Sequence, residues 1–280
     1  MKKQKIIKTD SAVVGVFTTV LVISLIVGVM AIINAIYVPH WLKETEFKHN
    51  ELVSNQFAQL KYALDIQSIT NGSSVIDSPV TMGTREIPFI DTRQTFDELS
   101  IPSKSCTLII DNKTGSRLTY TTDSIKYSSH NTNFVDQSYI YEAGTLILNQ
   151  YNASVMLARP SILVTEYDKN ITITFINITG VGVNSFVGGC GTFPIYTQVI
   201  QNNQQFKVIH NVTNITIQTN YPTAWYQALN ISLLYSGINH QINQTINSVT
   251  VHFIDSKGYY YNIFIKEIKV SADIAFGAIE

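Results

Sequence analysis

The feature that most constrains this chain is Ser11–Leu42, an unbroken run of 32 residues without an Asp, Glu, Lys or Arg. Within it Ala12–Val38 is rich in Val, Ile and Leu. At about 1.5 Å per helical residue it exceeds the roughly 30 Å hydrocarbon core of a bilayer. A cleavable secretory signal has an apolar core of only about 7–15 residues, ending at a small-x-small site. This run is longer and leaves through Asn34–Trp41, where Tyr37 and Trp41 suit the headgroup region. Lys2, Lys3, Lys5 and Lys8 precede the span, and Glu44, Glu46 and Glu51 follow it. The positive-inside rule then predicts a cytoplasmic N-terminus and an extracellular remainder.

After Pro39, a candidate kink, Trp41–Gln67 has no Gly or Pro and shows helical periodicity. Val53, Phe57, Leu60 and Leu64 are spaced four, three and four, forming one apolar stripe. Such a stripe serves either a packing helix or a seam between protomers, and the seam is the assignment carried forward. Membrane helix and amphipathic extension together predict a stalk on the order of 80 Å if continuous.

From about Ile69 the chain changes to short Ile/Val/Thr/Tyr runs separated by Asn, Asp, Gly and Ser, the pattern of antiparallel β-structure. Thr107–Tyr120 reads as a hairpin turning around Asp111–Gly115, and Val249–Val270 as another turning at Asp255–Gly258. Alternation puts Val249, Val251 and Phe253 on one face, with Thr250 and His252 opposite. It likewise turns Ile171, Ile173 and Phe175 inward, and Ile215 and Ile217 inward. The expected class is α+β: a long N-terminal transmembrane and stalk helix followed by a mainly antiparallel, sandwich-like head. The expected boundaries are 1–10 for a basic cytoplasmic flank, 11–38 for the membrane helix, 39–67 for the stalk and 68–280 for the head.

Nine Asn-x-Ser/Thr sequons begin at Asn71, Asn112, Asn152, Asn170, Asn177, Asn211, Asn214, Asn230 and Asn243. N-linked glycans on several of them would solvate a surface of which charged residues make up only 14% of the chain. Asn177 shares the parity of inward Phe175, so its exposure calls for a strand end or a bulge. An extracytoplasmic address permits a bridge between the two cysteines, Cys106 and Cys190, with two free buried thiols as the alternative.

The composition also excludes. A formal net charge of -1 provides no basic field for nucleic acid, and 11% aromatic residues argue against disorder. The six histidines are scattered, and no HExxH, GxSxG, phosphate loop or dinucleotide fingerprint occurs. Asp111, Asp136 and Asp168 are the acids best placed to converge on calcium, yet each reads more simply as a turn residue. Neither a catalytic site, a metal nor a cofactor is expected. Fifteen Tyr and thirteen Phe leave room for an aromatic binding platform, which makes a glycan-binding or partner-binding module the second reading.

Two stretches carry a resemblance. Asp10-Ser-Ala-Val-Val-Gly-Val-Phe ahead of an apolar helix resembles the start of archaeal pilin- and archaellin-like proteins. Tyr37-Val-Pro-His-Trp-Leu-Lys-Glu-Thr-Glu-Phe-Lys-His49, Asn55–Lys61 and Tyr139-Ile-Tyr-Glu-Ala-Gly-Thr-Leu-Ile-Leu148 resemble an uncharacterised family of archaeal cell-surface proteins of methanogens. The resemblance implies a pilin-like envelope protein that acts by assembly, as a homo-oligomer or filament, without enzymatic activity. Pilin processing cuts after a Gly or Ala that follows a basic residue. Lys8-Thr-Asp-Ser-Ala12 has no such pair, so a filament subunit and a permanent anchor both stand.

Overall fold

A computed structural model describes residues 7–70, 74–84, 95–151, 153–165, 170–181, 185–202, 205–253 and 260–275. Helix α1 (Ile7–Ile32) passes through a π-helical turn, Ile33–Tyr37, into helix α2 (Val38–Thr70). The turn has a local cause. Pro39 has no N–H for the carbonyl one turn back, and the Val38 N–H reaches five residues back to the Ile33 carbonyl. The irregularity expected at Pro39 is thus absorbed as a widened turn within a continuous helix.

Strands follow in chain order: β1 (Ile76–Met82), β2 (Asp97–Ser100), β3 (Cys106–Asn112), β4 (Arg117–Thr122), β5 (Ser124–Ser128), β6 (Gln137–Glu142), β7 (Thr145–Gln150), β8 (Ala153–Ala158), β9 (Ile162–Thr165), β10 (Asn170–Gly180), β11 (Phe186–Gly189), β12 (Gly191–Asn202) and β13 (Lys207–Thr219). Helix α3 (Pro222–Tyr235), β14 (His240–Gln244), β15 (Ser248–Phe253) and β16 (Tyr261–Ile274) complete the order. Ten strands make one sheet along β1-β12-β16-β13-β15-β14, with β10 and β9 branching from β16 and β3 and β4 from β13. Six make the second, β11-β2-β5-β6-β7-β8. Among the described residues only β10 and β16 pair in parallel, so the expected α+β class with a mainly antiparallel head is what the chain adopts.

The large sheet is covered on different faces at its two ends. Along β10, Ile171, Ile173 and Phe175 enter one core, while Ile176 and Ile178 enter the other. Along β16, Ile263 and Ile265 enter the first, and Ile268, Val270, Ala272 and Ile274 the second. The register between these strands has no bulge, so normal alternation delivers the two sets to opposite faces. The second sheet contributes to both cores: Ile140 and Ile147 to the first, Tyr139, Tyr141 and Leu146 to the second. Asn177 therefore needs neither a strand end nor a bulge. It keeps the parity of Phe175 at a point where the first core has ended, and it is half-buried, its Nδ2 donating to Glu267 Oε1 at 2.7 Å.

Two further expectations change. Residues 39–67 form no free stalk, because Val53, Phe57, Leu60 and Leu64 are all 0% exposed inside the second core. The stripe is satisfied by the chain's own sheets, which removes it as a seam between protomers: an apolar face already desolvated has nothing left to gain from a partner. Nor do β15 and β16 form a hairpin. Both lie on β13, Val249–His252 against Asn214–Ile217 and Tyr261–Ile265 against Lys207–Val212, and they run in the same direction. The expected turn at 255–258 lies outside the described residues, and the chain resumes its course after it. The β3–β4 hairpin is as expected, with Asn112 Oδ1 accepting the Ser116 N–H at 2.8 Å.

Helix α3 is absent from the sequence-based expectation. Its signals are Pro222 in the first turn and Trp225, Leu229 and Leu233 at four-residue spacing, all buried in the first core.

Candidate functional site

Four places in the molecule gather polar or exposed chemistry. The first is α1, which with its continuation is the one described helix long and apolar enough to cross a membrane. From Val13 to Tyr37 its large apolar side chains, half-buried Ile33 apart, are exposed, and no other described part of the chain covers them.

The second lies where α2 enters the head. Glu46, buried, accepts the backbone N–H groups of Thr132, Asn133 and Phe134 at 3.1, 2.8 and 2.6 Å. One turn on, His49 Nε2 lies 2.9 Å from Asp97 Oδ2, and Tyr127 donates to the same oxygen at 2.5 Å. Gly83 N–H also donates to it at 2.5 Å, and His130 N–H reaches Oδ1 at 3.2 Å. Burial alone would raise the Asp97 pKa, but the hydrogen bonds from His49, Tyr127 and Gly83 outweigh it and hold the carboxyl below its ordinary value. The arrangement joins α2, the adjacent strands β2 and β5 and two loops at one carboxylate, and its burial closes it to a substrate.

The third is Glu142, 0% exposed at the end of β6. Thr219 Oγ1 and Trp225 Nε1 both donate to its Oε1 at 2.7 Å, while Oε2 has no partner among the described residues. Burial pushes its pKa up to about 7 against the opposing effect of those two bonds. The folded state therefore holds a proton that the unfolded chain releases near the ordinary 4.5. Stability is intact below that value and is lost as pH rises to about 7, by about 3 kcal/mol at ~1.4 kcal/mol per unit. Glu142→Gln, which keeps an acceptor and cannot ionise, should flatten this decline in urea-unfolding curves between about pH 5 and pH 8.5. An unchanged decline would mean that another group titrates.

The fourth is a pair of clefts of about 630 and 430 Å³ that share Asn220 and Tyr221. The larger lies between the ends of β2 and β5 in the second sheet and the β3–β13 end of the first sheet, and its walls include Ser103, Ser105, Thr107, Ser124, Thr219 and Ser248. The smaller is lined by the first turn of α3, the β7–β8 turn and the start of the β14–β15 loop. Burial first, and then the nearby charge of Glu142, push the Tyr221 phenol up to about 12, so it stays a neutral donor.

Asn112, Asn170, Asn177, Asn214 and Asn230 are half-buried, Asn211 and Asn243 exposed, and Asn71 and Asn152 lie outside the described residues. Asn214 Oδ1 meets His252 Nδ1 at 2.7 Å across the ladder, and Asn211 has a left-handed φ of 55° beside the β13 bulge. The expected bridge between Cys106 and Cys190 is absent: both thiols are free. Cys106 is buried at the start of β3 in the first core, where desolvation raises its pKa, while Cys190 packs beside Gly83 near the second. Asp111 pairs with Arg117 at 2.7 Å, Asp136 accepts the Asn131 N–H at 2.7 Å, and Asp168 lies outside the described residues. Among the described residues no group of three or more His, Cys, Asp or Glu side chains is placed to hold a metal ion. Sequence reasoning missed Glu142 and the clefts, since neither a lone Glu nor dispersed Ser and Asn residues form a local motif. No family model, curated protein or solved structure matches the chain.

Proposed function

We propose that the chain is a non-enzymatic, membrane-anchored surface protein whose extracellular head acts as a binding module for glycans or envelope partners. The observation that carries this reading is the division of one continuous helix. Its first part presents apolar side chains outward, and its second part is the core of the head. Glu46 binds the loop at 132–134 and His49 the carboxylate of Asp97 on β2, both within the first turns after Trp41, so the helix joins the head close to the membrane interface. The lysines before the span and the acids after it support a cytoplasmic N-terminus. Protease added to sealed cells should digest the head and leave a short, membrane-retained N-terminal fragment. Digestion only after lysis would overturn the orientation.

A second reading, an archaeal pilin-like filament subunit, is favoured by the same helix, because exposed α1 segments from many copies would bury one another in a fibre. Mass spectrometry of the mature N-terminus separates the two. Cleavage between Lys8 and Ala12 in material sheared from cells supports the filament, and an intact N-terminus confined to membranes supports the anchor.

A further inference from the structure

We propose that the two clefts joined at Asn220 and Tyr221 form one groove that binds an acidic oligosaccharide, with Tyr151 as a stacking platform and Lys104 and Lys126 pairing with the ligand's carboxylate or sulfate groups. The proposal deepens the reading of the head as a binding module and rests on it.

Shape comes first. Each cleft falls within the roughly 300–1,000 Å³ of a small-ligand site, and the shared Asn220 and Tyr221 place the two side by side. The lining is unlike that of a hydrophobic-ligand pocket, because hydroxyl and amide side chains dominate it. The amides of Asn149, Gln218, Asn220 and Asn247 make no side-chain hydrogen bond among the described residues. Each offers two donors and an acceptor, the set that reads neighbouring sugar hydroxyls.

Charge narrows the class. No Asp or Glu lines either cleft. Lys104 and Lys126 line the larger one and have no carboxylate partner among the described residues. Asp123 lines only a neighbouring cleft, where the Lys104 and Gly180 N–H groups hold its two oxygens at 2.8 and 2.9 Å. Pro222 and Thr223, the first turn of α3, line the smaller cleft, and the positive end of the helix dipole adds to the preference for an anion. A neutral saccharide would leave two ammonium groups unused, and a carboxylate or sulfate would not.

Backbone geometry sets how the rim is presented. Tyr151, with φ 50°, and Lys104, with φ 51°, are two of the four described non-glycine residues in the left-handed region, and both line the groove. At Tyr151 this is the geometry of the tight β7–β8 turn, where Gln150 pairs with Ala153, and the turn carries the ring out to the rim of the groove. Tyr151 is 85% exposed, a ring held out against the hydrophobic effect at the rim of a polar groove. Stacking on the C–H face of a pyranose would cover it.

The test uses the full chain in detergent micelles, titrated calorimetrically with tetragalacturonate, a chondroitin sulfate tetrasaccharide and neutral cellotetraose. At least one acidic tetrasaccharide should bind about ten-fold tighter than cellotetraose at low salt, with the gap shrinking as salt is added. The first two probes distinguish carboxylate from sulfate. The Lys104→Ala/Lys126→Ala double variant should abolish the acidic preference, and Tyr151→Ala should weaken binding about five-fold or more. Unchanged thermal unfolding of both variants would show that they fold. Because Asn152 begins a sequon beside Tyr151, every titration is repeated on Asn152→Gln, so that a groove blocked by an attached glycan is not taken for an inert one. Absence of binding by both acidic probes, equal binding of cellotetraose, or full binding by the variants would each overturn the proposal. Binding to purified protein is independent of membrane orientation, so this failure is distinct from a failed protease test.

Discussion

Phe57→Ala should destabilise the head by about 3–5 kcal/mol, and Phe57→Asp by more, without changing the oligomeric state of whatever folded fraction remains. Phe57 is 0% exposed, its ring centroid 6.3 Å from that of Tyr127 and 6.0 Å from that of Tyr139. Removing it opens a cavity beside the rings of Tyr127 and Tyr139, which stand on two neighbouring strands of the second sheet, so little can collapse to fill it. Denaturant unfolding of the full chain in detergent, followed by Trp225 fluorescence, reads the loss. Analytical ultracentrifugation reads assembly. Unaltered stability together with a lost oligomer would restore the seam between protomers and refute the packing described above.

Asp97→Ala should cost about 3–5 kcal/mol, because it strands a buried histidine, a buried tyrosine hydroxyl and two backbone N–H groups at once. The same carboxylate makes stability sensitive to acid. Its pKa is lowered on folding, so its contribution is complete above the ordinary carboxylate range and is lost as pH falls through the folded value. The wild type should therefore show an acid-side decline that Asp97→Ala lacks. Hydrogen exchange would add a local reading: in the variant, amides of α2 near His49 and of residues 130–134 should lose protection together, since that carboxylate joins the segments. Protection unchanged in both segments would mean that Glu46 alone suffices to hold the helix.

The extent to which the sequence was legible follows the range of each interaction. Local patterns read correctly: the apolar helix over Ala12–Val38, the inward faces Ile171/Ile173/Phe175 and Val249/Val251/Phe253, and the β3–β4 hairpin all depend on the pattern within one segment. Helix α3 is equally local, but it lies inside the stretch from Ile69 onward that reads as β-structure throughout. Readings that required a partner fared differently. The stripe Val53–Leu64 was visible, but its occupant was not, because burial against one's own sheet and burial against another protomer demand the same residues. The run Val249–Val270 was read as a hairpin because turn residues interrupt it, yet β13 is long enough to hold both strands end to end.

By itself the sequence determined that this chain carries one apolar helix followed by a mainly antiparallel head, since hydrophobic periodicity and the cost of unpaired backbone in an apolar medium are properties of short segments. Only the tertiary structure decided that the second half of that helix is the head's core, that the thiols of Cys106 and Cys190 stay apart, and that Glu142 is buried beneath Thr219. It alone brought Lys104, Tyr151 and Asn220 around one polar groove. Those outcomes depend on residues far apart in the chain meeting in space, and the free energy that selects among such meetings is written in no single segment.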